Sequence, residues 1–252
     1  ELGAGAGRNT SRYSGYAQVT LLDFSRTQLE QAKARLGTGE RYRYIAADIY
    51  RLPFVKGLFD GATMIRTLHH MAEPALALAQ VRRVLEPEAT FILEYANKRN
   101  LKSILRYLLG RQKWSPYTRE AVEYIPLNFD FHPAAIRDWM DGAGFILERA
   151  LTVSHFRVSF LKKTLPVRLL VAVDALLQPT GGLFQLTPSV FLRARALKTG
   201  VKAPQGAFFA CPACAAPLDD TPPLIHCPAC EKQYPVIDDI YDFRPNPPAE
   251  DD

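Results

Sequence analysis

All four cysteines of the 252-residue chain lie near its C-terminal end, as Cys211-Pro-Ala-Cys214 and Cys227-Pro-Ala-Cys230, with twelve residues between the pairs. Two such knuckles can surround one tetrahedral ion with four thiolates, and zinc is the metal that suits such a set. A closed four-thiolate site has no open position, so the ion would be structural rather than catalytic. Two disulfides are the weaker alternative, because a bridge across two intervening residues is strained and nothing here reads as secretory. A redox role would normally use one such motif. His226 adjoins Cys227 and reads as a bystander. At the other end Gly3, Gly5 and Gly7 fall in Glu1-Leu2-Gly3-Ala4-Gly5-Ala6-Gly7. Closely spaced glycines let the backbone turn tightly and approach a ligand without a Cβ in the way. The spacing is G-x-G-x-G rather than the dinucleotide G-x-G-x-x-G, and a plain tight turn is the alternative. Asp23 follows Gly7 by sixteen residues and can accept from both hydroxyls of a ribose. Asp48 comes twenty-five residues later and can accept from an exocyclic amine such as adenine N6. Either acid alone also reads as a cap or turn residue. Three features in register after successive strands seldom coincide by chance.

These residues need elements to position them. Residues 19–24 read as a buried strand ending in an acid. Residues 25–36 read as a helix capped by Ser25, with Leu29, Ala32 and Leu36 on one face. A helix is expected near 9–16, its first amides facing a polar or anionic group. Residues 42–47, 59–65 and 90–95 read as further strands. Residues 74–85 read as a helix burying Leu76, Leu78, Val81 and Leu85. Strands alternating with helices at this spacing predict a parallel sheet with helices on both faces. The rhythm breaks over 98–128. A helix is expected over 133–144, from Pro133 to Gly142 and Gly144. A strand over 145–151, an apolar helical stretch over 165–177 and a last strand over 189–197 follow. Residues 198–208, with Gly200, Pro204 and Gly206, read as a linker, and 245–252 as a disordered tail.

In order and spacing, several segments resemble class I S-adenosylmethionine-dependent methyltransferases of the methyltransferase type 11 kind. They are the glycine loop, Leu22-Asp23-Phe24-Ser25, Ala47-Asp48-Ile49-Tyr50-Arg51-Leu52-Pro53-Phe54, Phe59-Asp60, Leu68-His69-His70-Met71 and Arg83-Val84-Leu85-Glu86-Pro87. The resemblance covers roughly residues 1–97. It implies that Gly3, Gly5 and Gly7 wrap the methionine and ribose part of S-adenosylmethionine, with Glu1 supporting its amino end. It implies that Asp23 holds the ribose, that Asp48 and the backbone of Ile49 hold the adenine, and that Arg66, Thr67 and Leu68 lie near the methylsulfonium. The family's usual Leu-Lys-Pro-Gly-Gly turn is here Leu85-Glu86-Pro87-Glu88-Ala89. The resemblance also implies that the family's first strand, central in its sheet, precedes Glu1. The chain as written would then leave strand edges unpaired and be poorly stable. A leader ahead of Glu1 is not readable. Near the other end, Tyr234-Pro235-Val236-Ile237-Asp238-Asp239-Ile240 resembles the small zinc-ribbon proteins that partner tRNA and rRNA methyltransferases.

Methyl transfer from a sulfonium is an in-line displacement in which the cofactor supplies the reactivity and the protein the positioning. A hydroxyl acceptor is helped by a general base, and His69 and His70 are the candidates; local packing is their alternative. No Asn/Asp-Pro-Pro-Tyr is present and the first 210 residues hold no cysteine, so an oxygen or nitrogen acceptor is expected. Residues 98–132 read as an insert covering the substrate, with Tyr124, Asp130 and His132 as further pocket residues. From Lys98 to Arg119 the basic residues are Lys98, Arg99, Lys102, Arg106, Arg111, Lys113 and Arg119, with Tyr107, Trp114 and Tyr117 interleaved and no acid. That pattern suits RNA, by phosphate contact and base stacking. Leu101, Ile104, Leu105 and Leu108 also form an apolar helical face, which suits a membrane surface or simple packing.

Composition sets the outer bounds. The chain is 48% hydrophobic and 23% charged, ordinary for a globular protein and unlike a disordered or disulfide-dense one. Residues 1–200 carry 28 Lys and Arg against 17 Asp and Glu, and residues 201–252 carry 3 against 9, so the two parts are opposite in charge. The acidic part can dock on the basic one. No apolar run approaches the ~20 residues of a spanning helix. Cysteines confined to one motif suit a reducing compartment, so a cytoplasmic protein is expected. The expected architecture is therefore a Rossmann-like class I methyltransferase sheet with helices on both faces over 1–197, its first strand missing. A linker over 198–208 and a structural zinc ribbon over 209–244 follow. A non-catalytic cofactor-fold scaffold whose ribbon recruits a partner is the alternative. The glycine spacing disfavours a nicotinamide-dependent oxidoreductase.

Overall fold

The computed structural model of the chain describes residues 1–156 and 159–245, so the tail expected over 245–252 lies, beyond Pro245, outside the described residues. Two compact units are present. The first gathers Glu1–Thr63, Ala79–Ala89 and the described residues from Leu197 onward; the second gathers Met64–Leu78 and Thr90–Ala196. The elements begin with β1 (Val19–Asp23), α1 (Arg26–Leu36), β2 (Tyr42–Ala46), β3 (Phe59–Met64), α2 (Pro74–Val84) and β4 (Leu85–Ala96). They continue with α3 (Leu101–Leu108), β5 (Val122–Ile125), β6 (Asn128–Asp130), α4 (Pro133–Gly142), β7 (Phe145–Val153), α5 (Ser159–Thr164), α6 (Val167–Leu177) and β8 (Ser189–Ala196). Five short strands close the chain: β9 (Phe209–Ala210), β10 (Pro217–Leu218), β11 (Leu224–His226), β12 (Gln233–Ile237) and β13 (Ile240–Asp242).

In the first unit β1 and β2 run parallel, from Val19 opposite Tyr42 to Asp23 opposite Ala46. Helix α1 starts where the Ser25 hydroxyl accepts from the Gln28 amide at 3.4 Å, and it buries Leu29 and Ala32. The free edge of β2 is taken by β13, parallel, with Ile240 opposite Tyr44 and Asp242 opposite Ala46. Strand β12 is antiparallel to β13, and β11 to β12. The cysteine-bearing segment thus extends the sheet. Ile240 is fully buried in one core with Val19, Leu21, Leu29, Ala32 and Tyr44. Along the other edge of β1, Leu2 forms an isolated parallel bridge with Leu22 and donates its amide to the Thr63 carbonyl at 2.9 Å. Residues 198–208 run along this unit: Ala203 donates to Gly57 O at 2.9 Å, Val55 donates to Phe208 O at 3.1 Å, and Lys202 pairs with Glu86 at 2.8 Å.

In the second unit β8 lies between β4 and β7 and is antiparallel to both. The expectation of a parallel sheet is therefore corrected: the sheet is mixed. The strand–helix alternation sets direction only where a crossover joins neighbours. The chain returns to β8 through α5 and α6 and enters between β4 and β7 the other way. The signal lay in β8 itself, where Val190, Leu192, Ala194 and Ala196 are buried and Arg193 and Arg195 are exposed. Two smaller expectations also change. The helix near 9–16 is a single 3-10 turn, Thr10–Arg12, whose Asn9 side chain makes no capping bond. In α2 Leu76 is 42% exposed while Ala77 is fully buried, so the buried stripe runs one residue further on.

Candidate active site and metal centre

The glycine loop lies at the end of β1. Gly3, Gly5 and Gly7 all have positive φ, at 65°, 52° and 66°, which L residues with a Cβ adopt at a cost. Gly7 is needed twice over, since a Cβ there would stand 2.9 Å from Leu36 Cδ1 and 3.1 Å from Ala32 Cβ on α1. Asp23 ties the loop to the strand. Its Oδ2 accepts from the Gly5 amide at 2.8 Å and its Oδ1 from the Ser25 amide at 2.9 Å. A carboxylate has about four acceptor positions, so it can still receive two ribose hydroxyls. Glu1 is held by Thr10 at 2.5 Å and Tyr13 at 3.3 Å. Burial pushes the Tyr13 phenol up to about 12, so it stays a donor. Asp48 caps the 3-10 turn Ile49–Arg51 through the Tyr50 amide at 2.9 Å. Beside it opens a cleft of about 240 Å³ lined by Arg51, Tyr234, Phe243 and Arg244 among others. Arg83, quoted in the sequence only as part of a resembling segment, fixes the segment after Asp48 by donating to Leu52 O at 2.6 Å and Phe54 O at 2.7 Å.

In the second unit Arg66 has φ of 57°, and its amide donates to Glu94 Oε2 at 2.9 Å. Ser189 donates to the other Glu94 oxygen. Glu94 is 5% exposed and holds the strained turn that carries Thr67 and Leu68. Sequence reasoning missed it, although an acid inside the apolar run Phe91-Ile92-Leu93-Glu94-Tyr95 was a signal. His69 and His70 follow with ring centroids 4.0 Å apart. Burial, then the charge of His70 and then that of Arg66, lower His69 to about 4. His69 is therefore neutral at physiological pH but too weakly basic for efficient proton removal. The Leu127 carbonyl, 3.0 Å from His70 Nδ1, can only accept, so Nδ1 is the donor in this contact and Nε2 is not part of it. His132 is buried as the cap of α4, accepting from Ala134 N at 3.1 Å. The side chains of Tyr124 and Asp130 are hydrogen-bonded to each other.

The basic stretch divides. Lys98 is 1% exposed and donates to Thr118 Oγ1 at 3.1 Å and Glu120 O at 2.6 Å. Arg119 pairs with Asp138. Tyr107 packs edge-on against Tyr117, and Trp114 against Tyr124. By contrast, of the apolar face of α3 Ile104 is half-buried, while Leu101, Leu105 and Leu108 are exposed.

The four cysteine sulfurs lie within 4.8 Å of one another. Cys211 and Cys230 approach to 3.6 Å, and Cys214 and Cys227 to 3.5 Å; all four are free thiols. A zinc–sulfur bond of about 2.3 Å places tetrahedral sulfurs about 3.8 Å apart, so the set fits zinc. The two knuckles repeat one geometry. Ala215 and Glu231 both have positive φ, and their amides return to the Cys211 and Cys227 carbonyls at 2.8 and 2.9 Å. His226 is exposed and lies outside the cluster.

The fold is the Rossmann-like methyltransferase fold. Residues 1–93 match the methyltransferase domain family. The chain is 33% identical over 156 residues to the demethylmenaquinone methyltransferase of Protochlamydia amoebophila, covering 54% of this chain and 62% of that protein. It spans about 36% and 62% of the length of the first curated methyltransferases it matches. Among solved structures, the 1,6-didemethyltoxoflavin-N1-methyltransferase of Burkholderia thailandensis, with bound 1,6-didemethyltoxoflavin and S-adenosylhomocysteine, superimposes with a TM-score of 0.52 at 18% identity, over 78% of this chain and 69% of that one. A chain of the Haloferax volcanii complex between the Trm112 methyltransferase activator and a methyltransferase does so at 0.53 and 16%, over 78% and 80%.

Proposed function

We propose that the chain is an S-adenosylmethionine-dependent methyltransferase acting on an oxygen or nitrogen acceptor, with a structural zinc in its C-terminal segment. The observation that carries this reading is the loop of three positive-φ glycines laced to Asp23 at a strand end. In the proposal Gly3, Gly5 and Gly7 leave room for the ligand, Asp23 receives the ribose hydroxyls, and Asp48 with the Ile49 amide receives the adenine. Glu1, held by Thr10 and Tyr13, takes the ammonium end, and Arg66, Thr67 and Leu68 border the methylsulfonium. When bound, S-adenosylmethionine supplies a sulfonium-activated methyl group for in-line displacement. His70 Nε2 receives the proton that the acceptor loses, and His69 stays neutral beside it. Cys211, Cys214, Cys227 and Cys230 hold zinc and close the cysteine segment into a ribbon over 209–244, linked by 198–208. Residues 98–132 cover the acceptor.

Calorimetric titration with S-adenosylhomocysteine tests the reading. Micromolar binding that weakens roughly 10- to 100-fold in Asp23→Ala is expected, since charge-assisted hydrogen bonds contribute about 1.5–3 kcal/mol. No binding to folded protein would leave a non-catalytic scaffold.

A further inference from the structure

We propose that the exposed leucine band of α3, with the loop at Leu183 and Phe184, docks on an anionic lipid surface. The proposal stands apart from methyl transfer. At about 100° per residue, Leu101, Leu105 and Leu108 share one side of α3, with Leu109 at its margin. Leu108 and Leu109 are 68% and 65% exposed. Lys102 and Arg106 form a cationic shoulder along this band, and the helix buries only Ser103, on the far side. An apolar stripe edged by cations is the form that inserts beneath lipid headgroups.

A second segment meets this helix. The Leu101 amide donates to Leu186 O at 2.8 Å, and Asn97 Nδ2 clamps Gln185 O and Thr187 O at 2.9 and 2.8 Å. The adjoining Leu183 is 86% exposed, and Phe184 is exposed as well. Helix α6, which leads toward this loop, leaves Leu169, Val171 and Leu176 exposed.

The observations favour lipid over the other occupants. RNA would need free aromatic faces and free cations. Here Tyr107 pairs with Tyr117 and Trp114 with Tyr124, and the cations of α3, Lys102 and Arg106, flank leucines rather than an open ring. A second copy seated on this band would offer Lys102 and Arg106 no acidic partner from α3, which carries no acid. Anionic headgroups match the shoulder, because the negative potential at such a surface attracts basic side chains close to it.

The test is flotation of the full chain with phosphatidylcholine vesicles, with and without roughly 30% phosphatidylglycerol. Binding at least about tenfold stronger to the anionic vesicles is expected. Leu105→Ser/Leu108→Ser should abolish it at any salt. Lys102→Glu/Arg106→Glu should abolish only the preference for anionic lipid. All these side chains are exposed, so circular dichroism should show unchanged folds. The proposal is overturned if folded protein does not float with anionic vesicles, or if both variants bind as the parent does. Capture by single-stranded RNA that competes the vesicles away would also overturn it, as would a dimer that the leucine variants dissociate.

Discussion

The carboxylate of Asp23 accepts two backbone amides before any ligand arrives, so the loop is set by the protein itself. Gly7 is the tightest point of that loop. A methyl group there meets both the +66° backbone and α1, so Gly7→Ala is expected to lose about 1–3 kcal/mol of stability. Gly15 has open space around it, and Gly15→Ala should stay within about 0.5 kcal/mol. Urea midpoints at matched m-values compare the two. His69 gives a pH signature. Its folded value of about 4 lies below the unfolded 6.5, so between these limits the unfolded chain binds a proton that the folded chain does not. Its stabilising contribution is present above pH 6.5 and is lost as pH falls toward 4. The parent should therefore lose more stability than His69→Asn between pH 7 and pH 5. An equal loss in both proteins would put the His69 ring in water.

At the scale of elements, legibility tracked locality. Helix α1 and strands β1 and β2 followed from period, cap and strand-end acid, because their partners are near in sequence. Glu94 and Lys98 were misjudged or missed because their burial depends on contacts with Ser189, Thr118 and Glu120 across loops that no periodicity describes. The pairing of β13 with β2 was invisible too: Ile240 reads only as one apolar residue in an acidic stretch, and its partner Tyr44 lies far back in the chain. That pairing makes the metal's influence testable. The Phe243 amide donates to Ala46 O at 2.8 Å, two residues before Asp48, so whatever orders the cysteine segment also orders the end of β2. One zinc per chain is expected by elemental analysis. Chelation or Cys214→Ser should speed amide exchange in β11, β12 and β13, and then in β2, while β7 and β8 stay protected. Zinc should restore the slow exchange after chelation. Unchanged exchange in β2 would make the knuckles an isolated fold.

Over the whole molecule, the opposite charges of the two sequence parts suggest docking by attraction, but the contacts rank the forces differently. Arg26 reaches Asp238 at 3.5 Å and Lys33 reaches Asp239 at 3.1 Å, yet these acids' side chains are 74% and 76% exposed. Exposed pairs contribute about 0–1 kcal/mol each and fade with salt. Beneath them Ile240 is fully buried, and Phe209 packs on Tyr241 and Phe243 with ring centroids 5.0 Å apart. Removing such a buried aliphatic side chain costs about 2–5 kcal/mol. Burial and strand pairing therefore hold the acidic segment, and charge mainly sets how it approaches. Asp238→Ala/Asp239→Ala is expected to lower stability by less than about 1 kcal/mol, and the difference should vanish in roughly 0.5 M salt. Ile240→Ala should lose at least about 2 kcal/mol at either salt concentration. Thermal unfolding of the three zinc-loaded proteins at low and high salt separates the two forces. A double variant less stable than Ile240→Ala at low salt would give the larger share to charge.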